Sequence, residues 1–147
     1  MLGCLLVVLA CSVVGIVLLI TESHQTEVTI RFTPDTVSLE AVPQEFRVTI
    51  SNVPDPYKPE DINSTTVTVE GIVFMKQMPN WPKITKNFFA FKVDGSELLN
   101  FVILQKIGHM APQPGTKVNV PITVTGQYTD GTDFQGTFDL VVLTEHA

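Results

Sequence analysis

The side chains that could do chemistry in this chain are few and far apart. Its three histidines are His24, His109 and His146, and no serine stands in a Gly-x-Ser-x-Gly turn. A nucleophilic triad needs a hydroxyl or thiol beside a base and an orienting acid, and that combination is not spelled here. Asp130 and Asp133 could pair for glycoside cleavage, but Asp130-Gly131 reads first as a turn. No glycine-rich loop is suited to cradling phosphate. One set does suggest a ligand. Met75 and Met78 form a Met-x-x-Met, and His109-Met110 lies downstream. Thioether and imidazole suit copper(I), so these four residues would form a copper site if the two segments met. The simpler expectation is that Met75 fills the core while Met78, His109 and Met110 cap loops. A blue-copper centre needs a cysteine, and both cysteines, Cys4 and Cys11, lie in the apolar N-terminal segment. The reading is therefore a non-enzymatic chain with no cofactor.

The elements that would position these residues alternate with period two. Val28, Ile30 and Phe32 predict a first strand, Val37 and Leu39 a short second, and Phe46, Val48 and Ile50 a third. Asn52–Asn63, rich in proline and charge, reads as a loop. Alternation resumes in Thr65–Glu70, continues in Gly71–Met75, and breaks at Pro79-Asn80-Trp81-Pro82. Phe88–Val93 predicts another strand. Asp94 or Ser96 can cap a short helix from Ser96 to about Gln105, with Leu98, Leu99, Val102 and Ile103 as its buried stripe. The last pair is the clearest: Val118, Val120, Ile122 and Val124, an Asp-Gly turn, then Phe134, Phe138, Leu140 and Val142. Seven or eight such strands and one short helix predict an all-β fold, an antiparallel β-sandwich over residues 27–147. About 120 residues bury enough apolar surface to fold without disulfides.

Ahead of that body stands a different kind of segment. Of the first 20 residues 17 are apolar, and none of the chain's 24 charged side chains falls among them. About 20 residues of helix span about 30 Å, the thickness of a bilayer's hydrocarbon core. Residues 1–20 are expected to be a single transmembrane helix, residues 21–26 a stalk, and the rest an extracytoplasmic domain. A cleaved signal peptide is the rival, but it favours a basic start and a shorter apolar run. Val8-Leu9-Ala10-Cys11 loosely resembles a lipobox, which the continuing apolar run contradicts. Cys4, Val8, Cys11 and Gly15 fall on one helical stripe, where small residues would let a partner helix approach.

The body resembles a known module. VTIRFTPDTVSL, PEDINSTTVTVEG, FAFKVDGSELLNFV and ITVTGQYTDGTDFQGTFDLVVL occur in that order. Together they look like an immunoglobulin-like, cohesin-like sandwich that recurs in archaeal and bacterial surface and secreted proteins. The resemblance covers residues 27–143 and is most specific at Thr123–Gly136. It implies a scaffold or interaction role rather than an enzyme. Members often carry an acidic calcium loop, but residues 80–87 here hold two lysines and no carboxylate, so calcium does not carry over.

Charge limits the partners. Nine basic against 15 acidic residues give a net charge of -6, and the basic residues form no run, which argues against nucleic acid. The expected partners are the lipid bilayer and other membrane or cell-surface proteins. Trp81, between Asn80 and Pro82, is the candidate contact residue, and Asn63-Ser64-Thr65 is the one glycosylation sequon. The reading is an accessory subunit of a larger membrane assembly. The alternatives are a pilin-like filament subunit and a copper-handling periplasmic protein.

Overall fold

Alternating apolar residues become strands throughout the body of the chain. The computed structural model describes residues 25–144. Ten strands form: β1 Thr26–Glu27, β2 Thr29–Thr33, β3 Thr36–Ser38, β4 Glu45–Ser51, β5 Ile62–Val69, β6 Val73–Phe74, β7 Lys83–Ile84, β8 Phe88–Asp94, β9 Lys117–Tyr128 and β10 Asp133–Leu143. They build two sheets, one ordered β1-β10-β9-β5-β6 with β3 also on β10, the other β2-β4-β8-β7.

The inward residues are those that the alternation marks. Ile30, Phe32, Phe46, Val48, Ile50, Phe89 and Phe91 come from one sheet and Val67, Val69, Val120, Ile122, Val124, Phe134, Leu140 and Val142 from the other, all within one buried cluster. Phe32 stacks on Phe138 across the gap, with centroids 5.6 Å apart. The two sheets therefore close on a shared core, as in a sandwich.

Four features depart from expectation. Among the described residues there are ten strands rather than seven or eight. The chain's start switches sheets, so that β1 and β3 pair with β10 in parallel while β2 pairs antiparallel with β4. The fold is thus not wholly antiparallel. The predicted loop is shorter, because strand β5 already begins at Ile62, opposite Tyr128. The helix is longer: α1 Gly95–Leu98, a π turn at Leu99–Ile103, and α2 Leu104–Met110 run on continuously. It starts where the Asp94 carboxylate accepts the Ser96 and Glu97 amides at 2.9 and 3.1 Å. It ends at Ala111 in the left-handed region (φ 50°), followed by Pro112, which supplies no amide to continue the helix.

Among the described residues no helix is long and apolar enough to cross a membrane. The expected transmembrane helix, with Cys4, Val8, Cys11 and Gly15, lies outside the described residues. So do most of the stalk, His24 and His146.

Candidate interaction surfaces

Each strand of the four-stranded sheet carries one cation on its outer face. β2 presents Arg31, β4 Arg47, β8 Lys92 and β7 Lys83. Pairing sets Arg47 directly opposite Lys92, and Arg31 next to Thr49 of the same face. Like charges in direct opposition weaken a sheet unless something offsets them. Two devices do so here. Glu45 accepts hydrogen bonds from Lys76 at 2.9 Å and Lys92 at 3.2 Å, and the Lys76 ammonium in particular holds its carboxyl below the usual range. The half-buried Trp81 ring has the Lys92 ammonium 4.8 Å, the Lys83 ammonium 5.2 Å and the Arg47 guanidinium 5.7 Å from its centroid, distances at which cation and ring attract. Ala90 points outward yet is fully buried. Trp81 is thus a scaffold for cations on the outside of the sheet.

The sequence shows no basic run, and the fold makes a basic face from four separate segments. Each contributes one cation, at spacings that only the strand pairing reveals. That signal was not readable along the chain.

A second surface is apolar. Ile72 is 55% exposed, Phe74 58%, Phe101 53% and Leu104 42%. Ile72, Phe74 and Glu97 line one open hollow of about 420 Å³. Phe101 lies one helical turn beyond Glu97, and Lys106 bonds Glu70 at 3.0 Å, fixing the helix against the β5–β6 turn. The apolar shoulder is these four exposed side chains, two on the helix and two in the β5–β6 hairpin that this ion pair joins to it. A helix turns one stripe inward, and this one buries Leu98, Val102 and Ile103. The sequence did carry a signal here: Phe101 and Leu104 are apolar residues beyond what that stripe needs.

The remaining candidates lie on different elements. Met75 is half-buried against the core, Met78 is half-buried in the loop after β6, and His109 and Met110 are exposed in the last turn of α2. Among the described residues no three His, Cys, Asp or Glu side chains gather as a metal-binding group. Asn63 is half-buried in β5 rather than in a loop, and its Oδ1 accepts the Thr65 hydroxyl at 2.8 Å and the Thr65 amide at 3.2 Å. Asp130 sits in the hairpin turn, where it accepts the Thr132 amide at 2.9 Å and the Tyr57 hydroxyl at 2.7 Å. These bonds, the amide first, hold its carboxyl below the usual range. Asp133 is an exposed partner of Gln127. Both carboxylates are thereby used in turn and strand structure.

Compared with family models, curated proteins and solved structures, the chain finds no match in any of the three.

Proposed function

We propose that this chain is a non-enzymatic, single-pass membrane protein whose sandwich works outside the cytoplasm as an interaction module, an accessory subunit of a larger assembly. The observation that carries the reading is the apolar shoulder of Ile72, Phe74, Phe101 and Leu104. Large apolar side chains left exposed on two joined elements are costly in water, and such groups mark surfaces that a partner covers. The strand order supports the immunoglobulin-like class as well. β2-β4-β8-β7 follows the arrangement of that class's ABED sheet and β5-β9-β10 that of its CFG strands. Residues 1–20, uncharged and apolar, would supply the anchor.

The test isolates the full chain from its native membrane in mild detergent and identifies co-purifying chains. A specific partner is expected, and Phe74→Ser with Phe101→Ser should release it while the chain stays folded and membrane-bound. A chain that purifies alone, or a partner indifferent to both substitutions, would overturn the reading.

A further inference from the structure

The two outer faces of the sandwich carry opposite charge. On the four-stranded side stand Arg31, Arg47, Lys83 and Lys92, with Glu45 and Asp94 as the acids at one end of the same face. On the six-stranded side, β10 points Asp133 and Asp139 outward and β1 adds Glu27. These three carboxylates enter no ion pair among the described residues, and neither do Arg31, Arg47 or Lys83. The same face also carries Lys117 at the start of β9 and Val141 near the end of β10, and its middle is a layer of hydroxyls and amides. Thr123 bonds Thr137 at 3.0 Å, Thr68 bonds Thr125 at 3.3 Å, and Gln135 donates to Glu27 at 3.0 Å.

We infer that a second copy of this chain docks on the basic face through its own acidic face, so that sandwiches stack sheet on sheet. Charge complementarity argues for this partner. A chain of net charge -6 repels its copies overall, yet Arg31, Arg47 and Lys83 stand on one outer face without an acidic partner among the described residues. The faces lie on opposite sides of one sandwich, so the contact is head to tail and does not close on itself; each added copy presents the same pair of faces again. Gln25, the first described residue, lies beside Gln127 and Asp133 at one end of the sandwich. The stacking surface adjoins the apolar shoulder at Lys76 and Asp94 but uses other residues, Arg31, Arg47 and Lys83 on one face and Asp133 and Asp139 on the other.

The experiment follows the mass of the full chain in non-ionic detergent by light scattering. Screening shortens from about 10 Å at 0.1 M salt to about 3 Å at 1 M, so association is expected at low salt and should weaken at least about tenfold at high salt. Arg31→Glu with Arg47→Glu makes both faces acidic, and Asp133→Lys with Asp139→Lys makes both basic. Each variant alone should remain unassociated, and an equimolar mixture of the two should associate again. Circular dichroism checks that both remain folded. Association that ignores salt belongs to the membrane helices or the apolar shoulder and would overturn the stacking, as would a mixture that stays dissociated.

Discussion

Asp94 carries two duties at one position. As the last residue of β8 it pairs with Glu45, and as the cap of α1 it accepts the Ser96 hydroxyl at 2.6 Å in addition to two amides. Those bonds, the hydroxyl first, hold its carboxyl below the ordinary range. A carboxylate whose folded pKa is depressed stabilises the fold above its unfolded value, near about pH 4, and loses that contribution as the pH falls through the folded value. Asp94→Ala should therefore cost about 1 kcal/mol at neutral pH, the ordinary loss for a helix cap, and Asp94→Asn much less. The gap between Asp94→Ala and the parent should close as the pH falls below about 4. Denaturant midpoints measured across pH check this, and a gap that persists in acid would contradict the cap. Tyr128 works in the opposite direction. Burial is the main cause that pushes its phenol pKa up, so its contribution is intact at neutral pH and fades as alkali ionises the unfolded chain.

At the scale of elements, two glycines of the closing hairpin answer different needs. Gly131, at φ 89°, has open space around it, and its backbone conformation is what the turn requires. Gly136 lies mid-strand, where an added Cβ would run into the Val28 carbonyl oxygen and meet Ile30 Cγ1 at 2.6 Å. The link between β1 and β2 crosses there as the chain changes sheets. Gly136→Ala should cost about 1–3 kcal/mol by overpacking. Gly131→Asn should cost less, because asparagine tolerates the left-handed region. Thermal melts of the two variants check the order. Both glycines belong to the motif that made the hairpin readable, yet only the turn role of Gly131 could be read locally. The same limit holds elsewhere. Phe46, Val48 and Ile50 announce a buried face by alternation alone, because burial on one side of a strand is a local pattern. Nothing local says that β3 runs parallel to β10, or that Arg47 and Lys92 meet. Those facts depend on which strands become neighbours. The helix showed its cap and most of its stripe, Leu99 being only half-buried, but the π turn could not be read along the chain.

For the whole molecule, the distances along the chain between paired strands order the assembly. β9 and β10 are joined by a short turn and pair from Lys117↔Leu143 to Gln127↔Asp133. β1 reaches the same sheet from far away: Glu27 and Gln135, bonded side by side, are 108 positions apart. Closing so long a loop costs entropy before the contact returns anything, so the hairpin is expected in the folding nucleus while β1 and β3 dock after the main barrier. Ile122→Val, which removes one buried methylene from β9, should cost about 0.5–1.5 kcal/mol and mainly slow folding. Val37→Ala, on the inward side of β3, removes about two methyl-sized groups, worth about 1.5 kcal/mol, and should mainly speed unfolding. Stopped-flow measurements on the full chain in non-ionic detergent separate the two limbs. If Val37→Ala slowed folding as much as Ile122→Val, the parallel edge would have to form early. The start of the chain would then guide the sandwich into place instead of sealing it.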